Sequence, residues 1–135
     1  APKNLAFHCH GWLSQNDARQ FFLRESLEGI DGLINVSASE GLPVSMMEAQ
    51  MAGLPVIGTD VGGVAEIIRP DTGILLPKEF TQDQFDKALF CLSQWKTIEQ
   101  RFSIAQRAKE KFSVTNYKLF IDDVIMEYVK KNIRE

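Results

Sequence analysis

The stretch Ser39-Glu40-Gly41-Leu42-Pro43-Val44-Ser45-Met46-Met47-Glu48-Ala49 decides how this chain is read. It follows an apolar run, Gly32 to Ser39, whose near-continuous hydrophobic character predicts a strand buried on both faces of a parallel sheet. Gly41 lets the backbone turn with no Cβ in the way, and Pro43 sets φ just ahead of a helix expected over Ser45 to Ala52. Glu40 then stands at the strand tip and Glu48 one turn inside the helix. The N–H groups of Val44, Ser45 and Met46 are expected to project from the helix start as an anion cradle, worth roughly 0.3–1 kcal/mol per charge when exposed. Glu48 can accept two hydroxyl hydrogen bonds, as a vicinal diol offers, and Glu40 can hold sugar hydroxyls. A ligand with an anionic centre and hydroxyls on both sides, such as a sugar nucleotide, meets these requirements.

Outward from this stretch, strands alternate with helices. Leu5 to Cys9 reads as a first strand, and Ser14 as the cap of a helix with Asp17 at its third position. Phe21, Phe22, Leu27 and Ile30 give that helix an apolar side, and Gly29 or Gly32 ends it. Pro55 to Thr59 is a strand, Gly62-Gly63 a turn, Val64 to Ile68 a short helix halted by Pro70, and Ile74 to Leu76 a further strand. The remainder predicts helices over about Thr81 to Trp95, Ile98 to Phe112 and Thr115 to Val129. Leu89, Leu92, Phe102, Ala105, Ala108 and Phe112 recur at helical spacing. The expected fold class is α/β: a Rossmann-like parallel sheet with helices on both faces, followed by C-terminal helices. Residues 1–135 are read as one domain, with an α/β core over 1–77 and a helical part over 78–135. Such sheets bind ligands at the carboxyl ends of their strands, where Ser39, Glu40, Thr59 and Asp60 fall.

Bulk properties narrow the function. The chain has 135 residues, 44% hydrophobic and 24% charged, as expected of a globular domain. No apolar run approaches the roughly 20 residues that span a bilayer, and no signal peptide is visible. A start without Met suggests a cut or processed chain, and the expected location is the cytoplasm or, peripherally, the inner face of a membrane. The net charge of −3 is uneven: residues 1–77 carry four Lys/Arg against nine Asp/Glu, residues 78–135 eleven against nine. An acidic half holding the candidate site argues against nucleic acid. It is also a poor setting for a diphosphate unless cations arrive from elsewhere.

With these residues in view, the chain resembles the C-terminal, donor-binding half of the family-4 (GT4) retaining glycosyltransferases of GT-B fold. The resemblance runs through Ser39 to Pro43, Glu48-Ala49, Gly53-Leu54-Pro55-Val56-Ile57-Gly58-Thr59, Gly62-Gly63-Val64-Ala65-Glu66-Ile67-Ile68 and Thr72 to Leu76. It covers about Leu5 to Phe112. It implies transfer of a glycosyl group, with retention, from a nucleoside diphosphate sugar to a glycan or lipid acceptor, without a metal or other cofactor. It also implies roles by position. Glu40 would be the catalytic-site carboxylate that binds the donor sugar's hydroxyls, and Glu48 would bind the ribose. Gly41, Leu42, Pro43, Val44 and Ser45 would line the donor phosphates, and Gly11 would close the wall near the base.

The acceptor-binding N-terminal domain is not in this sequence, nor is the Gly-Arg and Lys lead-in that neutralises the diphosphate. With the usual strand order 3-2-1-4-5-6, two central strands would be missing. Leu5–Cys9 would then pair beside Gly32–Ser39, or another chain would fill the gap. An unpaired edge would favour self-association, and the chain alone is expected to be inactive. The alternative is a non-catalytic Rossmann-like nucleotide-binding or assembly module.

Other features receive plainer readings. His8 and His10 would share one strand face, with too few partners for a metal site. Cys9 and Cys91 are read as free, buried core thiols, and Met46, Met47 and Met51 as core packing. The basic C-terminal helices are read as solvated faces. Asn116 to Lys131 is a candidate to cross back to the N-terminal domain.

Overall fold

The computed structural model describes residues 6, 8–28 and 30–113. Their elements are α1 (Gln15–Glu28), β1 (Leu33–Asn35), α2 (Val44–Met51), β2 (Val56–Thr59), α3 (Val64–Ile67), β3 (Gly73–Leu76), α4 (Gln82–Leu92) and α5 (Ile98–Lys111). The strands form one parallel sheet in the order β1-β2-β3, with Leu33 opposite Val56 and Val56 opposite Gly73. Parallel neighbours need crossovers, and α2 and α3 supply them.

β2 is central, and all four of its residues are buried. Its alternating side chains divide the interior into two cores. Val56 joins Met46, Ala49, Leu54, Val61, Val64, Ile67 and Ile68, under α2 and α3. Ile57 joins Leu76, Ala88 and Leu92, under α4. Helices therefore cover both sheet faces, as expected. Met46, Leu54, Ile57, Ile67 and Ile104 are almost fully buried, each contributing roughly 1.5–3 kcal/mol.

Local chemistry sets the helix starts. Ser14 Oγ accepts from the Asp17 N–H at 3.2 Å and donates to its carboxylate at 2.5 Å. Thr81 with Gln84, and Thr97 with Gln100, form complete capping boxes, so α4 and α5 begin where a Thr-x-x-Gln pattern places them. α5 packs against α2 and is tied to the segment before β1 by Arg101 Nη2, which donates to the Ile30 carbonyl at 2.6 Å.

Several expectations change. Ala6, His8, Cys9 and His10 carry no strand, so no partner for β1 comes from them; Leu5 and Phe7 lie outside the described residues. β1 is the edge of the sheet among the described residues, with Ile34 42% exposed, and is not buried on both faces. The reason lies in the run itself: one side of the extended chain carries the half-buried Leu33, Asn35 and Ser37, while the apolar Ile34 and Val36 on the other side face solvent. Both thiols are exposed. α4 turns Ala88 and Leu92 inward and leaves Phe90 and Cys91 outside, and Cys9 lacks the strand that would have buried it. α5 likewise turns Ile104 and Ala108 inward and leaves Phe102 exposed. Met46 is core and Met47 packs against it, but Met51 is exposed. The helix expected over Thr115 to Val129, and the candidate crossing segment Asn116 to Lys131, lie outside the described residues.

Candidate functional site

Glu40 sits five residues beyond the end of β1, half-buried, in a turn stapled from two sides. On one side are side chains of its own strand run. Ser37 Oγ donates to Glu40 Oε1 at 2.6 Å, and Asn35 Nδ2 donates to the same oxygen at 3.2 Å. Ser37 Oγ also lies 2.6 Å from Asn35 Oδ1. A hydroxyl has one proton, and the charged carboxylate is the stronger acceptor. These bonds, Ser37's first and Asn35's second, hold the Glu40 carboxyl below its ordinary value of 4.5, against a smaller opposing effect of desolvation. Both bonds therefore favour the ionised form of Glu40.

On the other side is the turn after β2. Thr59 Oγ1 donates to the Ser37 carbonyl at 2.5 Å, and the Gly63 N–H donates to the Gly41 carbonyl at 2.9 Å. Gly62 has a left-handed φ of 53°, and a Cβ there would lie 1.8 Å from the Glu40 carbonyl oxygen. The turn after β2 therefore presses against the backbone of the turn after β1, and the contact admits only glycine.

Gly41 and Leu42 are exposed, Pro43 is buried, and Val44 and Ser45 are exposed at the first turn of α2. No side chain caps this helix. An α-helix leaves its first four N–H positions without internal partners; here the Met46 and Met47 N–H groups both bond to the Pro43 carbonyl, so Met46 is not one of the projecting donors, and Val44 and Ser45 are the ones that remain. Glu48 lies on the next turn, half-buried, lining a cavity of about 230 Å³ with Arg19, Leu23, Met51 and Ala52. Leu42 instead lines an apolar cavity of about 300 Å³ together with Met47, Ile67 and Phe112. Glu48 thus opens toward α1, into a cavity that Glu40 does not line. Gly11 is exposed with φ of 66°, a backbone that favours glycine although open space surrounds it. The His8 and His10 rings lie 4.5 Å apart, and among the described residues no cluster of three His, Cys, Asp or Glu could hold a metal ion.

Asn35, Ser37, Thr59 and Gly62 are the neighbours that a search for carboxylates passes over. The signal for the first two is present: Asn35, Ser37 and Ser39 alternate through an otherwise apolar run, which places them on one side of an extended chain. No pattern in the sequence shows Thr59 and Gly62 meeting the β1 turn.

Residues 3–94 match the family described as glycosyl transferases group 1. The chain belongs to the group 1 glycosyltransferases. It is 34% identical over 95 residues to the putative colanic acid biosynthesis glycosyltransferase WcaL of Escherichia coli strain K12, covering 70% of this chain and 22% of that protein. It is 35% identical over 91 residues to the O-antigen biosynthesis glycosyltransferase WbnH of Escherichia coli, covering 67% and 25%. It is 33% identical over 93 residues to the N-acetyl-alpha-D-glucosaminyl L-malate synthase of Bacillus anthracis, covering 68% and 24%. The chain spans about a quarter of the length of these curated relatives. Its fold matches a chain in the crystal structure of the GtfA/B complex with a TM-score of 0.57, at 24% identity, over 82% of this chain and 23% of that one. The group 1 match spans α1 to α4 and contains Glu40, Glu48 and the α2 start.

Proposed function

We propose that this group 1 glycosyltransferase chain is the donor-binding part of a retaining enzyme of the GT4 type and GT-B fold. The whole protein would transfer a glycosyl group from a nucleoside diphosphate sugar to a glycan or lipid acceptor. Glu40 holds the donor sugar's hydroxyls, Glu48 the ribose, and the Val44 and Ser45 N–H groups the diphosphate. Gly41, Leu42 and Pro43 bring the phosphates close to the backbone, and Gly11 lies by the base. The reading is carried by one observation: a carboxylate held by Ser37 and Asn35 stands past the carboxyl end of β1, four residues ahead of a helix whose start no side chain caps. Such a start stabilises the negative charge that develops on a leaving diphosphate. No metal or organic cofactor enters the scheme.

Relatives named for colanic acid and O-antigen biosynthesis favour a growing polysaccharide as the acceptor class. The N-terminal acceptor domain would then be the intramolecular partner, and contact with the inner membrane face would come through it. Among the described residues no helix is long and apolar enough to cross a membrane.

The test is an NMR titration of the chain with UDP, GDP, ADP and their sugar conjugates, repeated with Glu48→Ala. Shifts clustered at Glu40 to Ser45 for one base, weakened in the variant, are the expected result. Absence of shifts with every ligand, in this chain and in one extended upstream, would favour the non-catalytic module instead.

A further inference from the structure

The side chains around Glu40 do more than keep it charged. Both of its side-chain donors, Ser37 Oγ at 2.6 Å and Asn35 Nδ2 at 3.2 Å, end on Oε1. Among the described residues no hydrogen bond is directed at Oε2. The two donors are themselves fixed. Asn35 is in β1, paired with Gly58 of β2, and the Ser37 carbonyl is held by Thr59 Oγ1 at 2.5 Å. The carboxylate's rotation about its last bond is therefore set from β1 and β2.

We propose that Asn35 and Ser37 are positioning residues that saturate Oε1 of Glu40 and so present Oε2 alone to the donor sugar. This rests on the reading of Glu40 as the sugar-hydroxyl acceptor. A carboxylate with both oxygens free can rotate, and it loses that freedom when a sugar binds. One held on Oε1 has lost it already, and its open oxygen faces the sugar in a single orientation. The lowered pKa of Glu40, held down by the Ser37 and then the Asn35 hydrogen bond, adds that the group is an acceptor, and not a donor, in the neutral range.

The role is read in the full-length protein. Asn35→Ala, Ser37→Ala, Ser37→Thr and Glu40→Gln are compared by calorimetric binding of UDP, GDP and ADP, and of UDP-glucose, GDP-mannose and ADP-glucose. The pH dependence of kcat/KM follows with whichever conjugate is turned over. Loss of one charge-assisted hydrogen bond predicts that Asn35→Ala and Ser37→Ala each lower kcat/KM about tenfold or more. Affinity for the sugar-free diphosphate stays within about twofold, since the variants leave the helix start untouched. In Ser37→Ala the acid limb of the profile moves to higher pH, and Ser37→Thr, which keeps the hydroxyl, restores it. A merely structural role would weaken diphosphate and conjugate alike.

The outcomes separate the two claims. If Glu40→Gln abolishes conjugate turnover while Asn35→Ala and Ser37→Ala match the parent in rate and acid limb, the positioning role is overturned and the reading of Glu40 stands. If Glu40→Gln binds and turns over the conjugate normally, or if no conjugate binds the parent, the reading of Glu40 falls and the positioning role with it.

Discussion

Glu40 shows how much one residue's behaviour depends on its neighbours. Its folded-state acidity is shifted to the strong side by Ser37 and then Asn35. A carboxyl depressed on folding adds stability above its unfolded value, and that contribution fades as pH falls through the folded value. Donor binding is expected to be lost at lower pH in the parent than in Ser37→Ala, whose Glu40 lacks the first of these hydrogen bonds, and a pH series of donor affinity checks this. Gly62 carries the second prediction at this scale. A side chain there meets both a left-handed φ of 53° and the Glu40 carbonyl oxygen at 1.8 Å. Gly62→Ala is expected to destabilise by about 1–3 kcal/mol and to shift the amide signals of Glu40 and Gly41, read by thermal unfolding and NMR.

At the scale of elements, the join between α2 and β3 is polar. Gln50 is 1% exposed, and its Nε2 reaches Thr72 Oγ1 at 3.1 Å and the Thr72 carbonyl at 3.4 Å; Thr72 Oγ1 also accepts the Arg69 N–H at 3.0 Å. Gln50→Leu keeps the volume but removes the Nε2 bonds, leaving Thr72 Oγ1 with the Arg69 N–H and the Thr72 carbonyl with the Val56 N–H, and is expected to lower stability by about 0.5–1.5 kcal/mol in denaturant unfolding. Cys91 lies on the outer side of α4, so a thiol reagent is expected to label it in the native state as fast as in the unfolded one. Protection of Cys91 would mean that another surface covers that side of α4. α4 was legible from its apolar spacing, but which of its residues face inward was not. Phe90 and Cys91 are as apolar as Ala88 and Leu92, and only the position of the sheet distinguishes them.

At the scale of the molecule, the sheet ends abruptly. Leu33 N–H bonds to the Pro55 carbonyl, so the alternate residue, Ile34, directs its backbone groups away from β2. Among the described residues no strand pairs with that edge, and the Ile34 and Val36 side chains are about two-fifths exposed. An open, apolar edge invites pairing with another strand. The chain alone is expected to associate as its concentration rises, and Ile34→Lys to reduce this, as sedimentation velocity would show. Extending the chain upstream is expected to have the same effect, if the added residues pair with the edge.

The helix starts at Ser14, Thr81 and Thr97, the turn at Gly41 and the alternation of strands with helices were determined by the sequence alone. Each rests on residues a few positions apart, whose hydrogen bonds and steric limits act within one turn of chain. The candidate carboxylates were legible for the same reason, since Glu40 and Glu48 share one turn-and-helix unit. Tertiary structure alone decided what those carboxylates face. It set Gly62 and Thr59 against the Glu40 turn from across the sheet, turned Glu48 toward α1, and left β1 as an edge with Leu33 against the core and Ile34 exposed. Burial and close contact between distant segments depend on which surfaces meet, and residue spacing along the chain carries no record of that.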